Sequence, residues 1–279
     1  MNIIDAAPTN ATTHPSAQAM QNPHSLTVVI VAKNEETSIA ECVASASFAD
    51  VVLVLDSGST DGTASRAAAA GARVVQTDWP GYGSQVARGF GMTNTAWVLS
   101  LDADERITQQ LQTEILAAIR AAQFDGFRIP RISEFCGKVI QHSGWRPDHT
   151  LRLGRREKSG FTDHFLHAHM TVNGSVGDLQ HSLIHYSYPN IANVLEKLDR
   201  YSTGAARDMQ ARGKCGSVGA ALGHGIFAFL RSYVLRRGFL DGSHGLMLAV
   251  YNAEYAYYKY IKLMFLANPP KRPVFPNEH

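Results

Sequence analysis

The chain of 279 residues has little of what several common protein classes require. Its three cysteines, Cys42, Cys136 and Cys215, are odd in number and widely spaced. They therefore suit neither a disulfide framework nor a structural zinc site, and a reducing compartment is expected. A formal charge of +2 is too small to argue for nucleic acid. No run of ~20 uninterrupted apolar residues is present. The nearest approach is 246–267, which carries Asn252, Glu254, Lys259 and Lys262. Residues 1–24 lack a basic start followed by an apolar run, so they read as a disordered leader and not as a secretory signal. No GxGxxG follows the first predicted strand and no Walker lysine is in place, which disfavours dinucleotide enzymes and P-loop NTPases.

What is present starts abruptly at Leu26. LTVVIVA (26–32), VVLVLD (51–56), ARVVQTD (72–78) and AWVLSLD (96–102) are short β-branched apolar runs, as expected of strands buried on both faces. Helical patterns separate them: TSIAECVASAS, a segment capped by Ser59 or Asp61 and closed by Gly71, and SQVARGFGM. A well-patterned helix over 108–122 follows, with Thr108 near its start. This alternation predicts an α/β fold, a mostly parallel sheet with helices on both faces. FRIPRISEF and KVIQH, parted near Gly137, predict a hairpin. Beyond Pro189 the chain reads as helical, with glycine interruptions over 213–225. The expected units are 1–24, 25–188 (with halves 25–123 and 124–188) and 189–279.

In such sheets ligands gather outside the carboxyl ends of the strands. Three predicted strand ends carry polar clusters: Lys33-Asn34-Glu35, Asp56-Ser57-Gly58-Ser59 and Asp102-Ala103-Asp104. Asp102 and Asp104 lie two positions apart, so their carboxylates can face the same way and hold Mg²⁺ or Mn²⁺ together with a substrate diphosphate. Such a cation offsets charge on a departing nucleoside diphosphate. Asp56 suits a nucleobase N–H or a ribose hydroxyl, and SGSTDGT offers backbone N–H groups and hydroxyls; read alone, it is equally a capped strand–helix turn.

VVIVAKNEE, DSGSTDGT and AWVLSLDADE, in that order, resemble family 2 glycosyltransferases of the GT-A fold. GWRPDHTLRL, the pair His185-Tyr186 and RRGFLDGSHGLMLA extend the resemblance to bacterial lipopolysaccharide-core β-glucosyltransferases that act on inner-core heptose. It covers nearly everything from Ser25 to Pro270. The resemblance implies that 25–123 is the nucleotide-sugar half and 124–188 the acceptor half of a catalytic domain. It implies that Ala32, Lys33, Asn34 and Glu35 border the nucleotide and that Asp56, with Ser57 and Gly58, contacts uracil or ribose. Asp102 and Asp104 would hold diphosphate and metal, and Gln85 and Arg88 would face the same cleft. The implied reaction is transfer of a hexose, glucose first, from a UDP-sugar to a lipopolysaccharide-core acceptor with inversion, which needs a general base. Asp148 and Asp163 are the candidates, with His164 and His167 as weaker ones. Relatives often carry a His-Glu pair here, whereas His167 is followed by Ala168. Two other readings remain: a sugar-phosphate nucleotidyltransferase, and a membrane-associated nucleotide-sugar-binding protein without catalysis.

The C-terminal third interleaves aromatics with bases. FAFLRSYVLRRGF (227–239) and AVYNAEYAYYKYIKLMFL (249–266) suit an anionic membrane surface, or two helices packed on the catalytic domain. The resemblance, with its lipid-linked acceptor, implies a peripheral seat on the cytoplasmic face.

Overall fold

The computed structural model describes residues 22–162 and 168–269. The candidates Asp163, His164 and His167 lie outside the described residues, as does most of the expected leader. The chain opens with β1 (Leu26–Ala32), α1 (Ile39–Ser45), β2 (Val51–Asp56), α2 (Thr63–Ala69), β3 (Arg73–Gln76), α3 (Tyr82–Gly91) and β4 (Trp97–Asp102). β1 pairs in parallel with β2 on one side and β4 on the other, and β2 pairs in parallel with β3. β1 is buried along nearly its whole length, which is why it reads as an unbroken apolar run and not as an alternation.

The second half holds more strands than the hairpin the sequence predicts there. After β5 (Glu105–Ile107) and α4 (Gln109–Ala121) come β6 (Gly126–Phe135), β7 (Lys138–Val139) and β8 (His149–Arg155). β9 (Ser159–Phe161), β10 (Met170–Val172), β11 (Val176–Asp178) and β12 (Leu183–Tyr188) complete the strands. The sheet order is β3-β2-β1-β4-β8-β6-β12-β5, with β7 and β11 also on β6, and β9 and β10 form a separate pair. β8 runs antiparallel to both β4 and β6, so the sheet is parallel on one side and mixed on the other. β6 and β7 form the expected hairpin, turning at Cys136 and Gly137, both with positive φ. This is the mostly parallel GT-A arrangement with a helical C-terminal region.

Two apolar layers flank the sheet. Leu111, Ile115 and Ile119 recur at four-residue spacing on α4 and bury on one face, around Trp97 and Ile30. Thr108 accepts the Leu111 N–H as that helix's cap. On the other face α3 lies directly over β1. A methyl added at Gly89 would sit 2.4 Å from Val29 Cγ1, so only glycine permits this approach. Of the two predicted caps of α2, Asp61 accepts the N–H of Thr63, the first helical residue, at 3.0 Å although Gly62 holds the N-cap position, and Ser59 donates to Asp56 instead.

The C-terminal region comprises α5 (Ile191–Ala211), α6 (Val218–Leu230) and α7 (Gly242–Ala267). α6 runs on through one π turn, Arg231–Leu235, and a 3₁₀ turn, Gly238–Asp241, leads into α7. The predicted glycine interruption is shorter than expected. Helix is absent only between α5 and α6, where Ser217 caps α6, while Gly219, Gly223 and Gly225 lie inside the helix. α7 packs on both α5 and α6. A third apolar cluster, with Phe135, Tyr188, Leu198, Leu248 and Tyr251, joins these helices to the sheet.

Candidate active site

The register of the parallel strands gathers the polar clusters. Ala32 stands opposite Asp56, and Val31 opposite Asp102, so the turn after β1 and both aspartates share one edge. The chain diverges there to either side of β1, the position where open α/β sheets form a crevice.

The turn after β1 and the loop after β2 are bonded into one unit. Asn34, at φ +57°, receives the Thr60 N–H on its side-chain oxygen at 2.9 Å and gives its own N–H to Ser59 Oγ at 2.9 Å. The Glu35 N–H donates to Thr63 Oγ1 at 2.7 Å. The buried Asp56 carboxylate accepts from the Ser59 hydroxyl and N–H. Ser57 is buried, Gly58 is exposed with φ +78°, and Lys33 is exposed. Gln85 is fully buried and donates to Ser57 Oγ at 2.9 Å, to Thr77 Oγ1 and to the Asp78 carbonyl. Arg88 bridges Gln85 Oε1 at 3.1 Å and Asp78 at 2.7 Å. Gln85 and Arg88 thus brace the β2 loop from behind.

The aspartates after β4 have different surroundings. Asp102 pairs with Arg152 Nη2 at 2.6 Å through Oδ2, and its Oδ1 accepts the Tyr82 hydroxyl. Arg152, 5% exposed on β8, also reaches Glu105 Oε1 at 2.7 Å, and Glu105 in turn receives the Asp102 N–H at 3.0 Å. Burial alone would raise the Asp102 pKa, but the Arg152 guanidinium and the Tyr82 hydroxyl hold it below the usual carboxylate range. Burial dominates at Glu105 and pushes its carboxyl up.

Asp104 has different direct partners. Its Oδ2 lies 3.4 Å from His185 Nε2 and 3.6 Å from Lys197 Nζ. Burial opposes its ionisation, yet the His185 contact holds its pKa below the ordinary value. Ser133 and Ser187 hydroxyls sit 3.1 and 2.7 Å from His185 Nδ1 and orient the ring. Glu35 is pushed up to about 7, first by burial and then by the nearby Asp104 charge.

Among the described residues no group of three His, Cys, Asp or Glu side chains encloses a metal position. The donors suited to a divalent cation are Asp104 and His185, since Asp102 is already committed to Arg152 and Tyr82. A carboxylate with one imidazole would leave a hard cation room to keep waters and take phosphate oxygens.

Asp148 lies in the loop before β8. One of its carboxylate oxygens accepts both Nε and Nη2 of Arg131 at 2.8 Å, and Arg131 continues to Glu105 at 3.5 Å. Sequence reasoning missed Tyr82, Glu105, Arg131, Arg152 and Lys197 as site residues, and met His185 only within a motif. A buried arginine on a strand becomes visible only once β8 is laid beside β4.

Residues 27–174 match the family described as Glycosyl transferase family 2. An uncharacterized glycosyltransferase of Rickettsia typhi is 28% identical over 255 residues, 87% of each chain. The lipopolysaccharide core biosynthesis glycosyltransferase LpsC of Rhizobium meliloti is 29% identical over 241 residues, 83% of this chain and 89% of that one. Among solved structures, glucosyl-3-phosphoglycerate synthase from Mycobacterium tuberculosis, in complex with Mn²⁺, uridine diphosphate and glucosyl-3-phosphoglycerate, is 23% identical with a TM-score of 0.37. That likeness covers 52% of this chain and 64% of the other.

Proposed function

This chain belongs to glycosyl transferase family 2, and from that premise we propose that it moves a hexose, glucose first, from a UDP-sugar to a lipopolysaccharide or lipooligosaccharide core sugar with inversion. The observation that carries the reading is the pairing at the end of β4. Asp102 is locked by Arg152 and Tyr82, while Asp104 turns toward His185 and Lys197. The similarity to LpsC supports the core-sugar acceptor.

In this reading the bonded unit of Asn34, Asp56 and Ser59 receives the uridine, with the buried Asp56 carboxylate accepting from uracil or ribose. Asp104 and His185 would hold Mg²⁺ or Mn²⁺, which supplies positive charge to the leaving diphosphate. Lys197 adds a fixed cation on the same carboxylate, and Arg152 keeps Asp102 ionised and oriented. The acceptor hydroxyl loses its proton to Asp148 or Asp163, the two candidate bases of the acceptor half.

The test is incubation with a panel of UDP-sugars and Mn²⁺, with and without deacylated core oligosaccharide. Acceptor-dependent UDP release is expected. No UDP release with any donor would overturn the reading, and pyrophosphate formation from a nucleoside triphosphate and a sugar phosphate would replace it with a nucleotidyltransferase. Asp148→Asn and Asp163→Asn separate the two bases, the true one losing kcat with UDP binding retained.

A further inference from the structure

α6 and its π turn carry an apolar stripe with nothing packed on it among the described residues. Val218, Leu222, Ile226, Leu230 and Val234 follow one another at four-residue spacing and are 51, 52, 61, 47 and 49% exposed. The opposite face is made of small residues, with Ala221 and Gly225 buried. A methyl at Gly225 would lie 3.3 Å from the Ala253 carbonyl of α7, so α6 already spends its close-packing face on α7. The exposed stripe is therefore the outer face of the helix, and it continues into Leu235 and Leu240, 70 and 56% exposed. Aqueous surfaces seldom carry so long a contiguous apolar row.

Charge identifies what covers it. Residues 218–240 contain Arg231, Arg236 and Arg237 and no Asp or Glu. Beside the stripe a cavity of about 490 Å³ is lined by Trp145, Phe227, Arg231, Arg236, Tyr255 and Lys259. An adjoining groove of about 380 Å³ shares Arg236 and adds Arg146, Arg237 and Leu235. Among the described residues none of Arg146, Arg231, Arg236, Arg237 or Lys259 has a carboxylate within ion-pair distance, and each of the site's other arginines and Lys197 does. Asp241, the acid that ends this segment, is buried and accepts from the Gln141 and His142 N–H groups. The Ser143 hydroxyl, on the cavity wall and 4% exposed, has no hydrogen-bond partner among the described residues.

We propose that the apolar stripe of α6 seats in one leaflet of an anionic bilayer, with the basic cavity and groove beside it receiving the phosphate-bearing headgroups. The segment Val218–Leu235 is long and apolar enough to cross a membrane by length and composition, with a mean hydropathy of 1.4. That corrects the sequence expectation, which put the nearest approach at 246–267. It lies in the plane of the surface because its small-residue face is packed lengthwise on α7, whose Lys262 is bonded to Asp199, Ser202 and Thr203 of α5. The seat is independent of the transfer reaction and of its donor.

The test is flotation of the full chain with vesicles of phosphatidylcholine alone or with about one third phosphatidylglycerol. Binding to the anionic vesicles is expected, weakening with salt. The triple variant Leu222→Glu, Ile226→Glu, Leu230→Glu should lose on the order of tenfold or more in partitioning, and Arg236→Glu with Arg237→Glu should lose the preference for anionic lipid. If the triple variant does not fold, judged by thermal melting, the arginine pair and the salt dependence decide. Failure of the unaltered protein to float overturns the proposal. So does a lipid-free dimer, seen by light scattering, that the triple variant abolishes, because the stripe would then join two copies. Retention through alkaline carbonate extraction of native membranes would assign a spanning helix and overturn the in-plane seat. None of these readouts requires transferase activity, so failure here and failure of the transferase reading are told apart.

Discussion

Arg131 and Arg152, beside the end of β4, each lie within 4 Å of two carboxylates, whereas Arg231, Arg236 and Arg237 around α6 lie near none among the described residues. The first pair is enclosed by the sheet, and a buried guanidinium without a counter-charge is expensive. The second group is exposed, remains hydrated and needs no partner from its own chain. In the first region charge is an internal positioning device, fixing Asp102 on Arg152 while Asp104 takes separate partners in His185 and Lys197. In the second it is left open to something outside the molecule. The apolar residues divide the same way: β1, β2 and β4 bury theirs, and α6 displays them.

Removing Arg152 attacks this contrast hardest. Arg152→Met strips the counter-charge from Asp102 and the fully buried Glu105, and about 3–5 kcal/mol of stability should be lost in urea unfolding. Adding Glu105→Gln should restore part of it. A loss under about 1 kcal/mol would mean the network is dispensable. Asp104→Ala comes next: it should cut metal-dependent UDP release on the order of a hundredfold to a thousandfold while leaving the melting temperature near that of the unaltered protein. Unchanged turnover would remove Asp104 from the site.

A pH effect of intermediate size is expected at Glu35. Its folded pKa of about 7 lies above the ordinary 4.5, so the fold binds a proton the unfolded chain releases between those values. The favourable contribution is full below about 4.5 and is lost as pH rises through 7. Glu35→Gln, which stays neutral, should therefore raise the melting temperature only slightly at pH 5 and clearly at pH 8; an equal change at both would refute the burial of a neutral Glu35. The smallest effect belongs to the other region. Arg231→Gln should leave the melting temperature unmoved, since no internal ion pair is broken.

How far sequence reached follows the same division. β1, β2, β4 and α4 were legible because a strand buried on both faces must be apolar throughout, and because Thr108 caps a helix whose Leu111, Ile115 and Ile119 keep one period. The convergence of Asp56 and Asp102 followed from strand alternation. Arg152 and Glu105 were not legible, since they meet across 47 residues through an antiparallel strand, β8, that no apolar run in the sequence announced. The separation of duties between Asp102 and Asp104 was hidden for the same reason. In the C-terminal region composition offered packing or a membrane, and the helices have both an inward and an outward apolar side: Tyr251 turns inward to the Tyr188 hydroxyl at 2.8 Å, while Ile226 and Leu230 point out. Only the small-residue face of α6 distinguishes the two sides.

α5 touches both regions. Near its start Lys197 reaches Asp104 and the Ser187 carbonyl, and one residue pair later Asp199 grips Lys262 of α7. The rod that ends at the reaction centre is thus clamped to the helix that carries α6. With α6 seated as proposed, the height of Asp104 above that surface would be a fixed dimension of the protein, and an anchored acceptor would be selected partly by how far its receiving hydroxyl stands from its anchor.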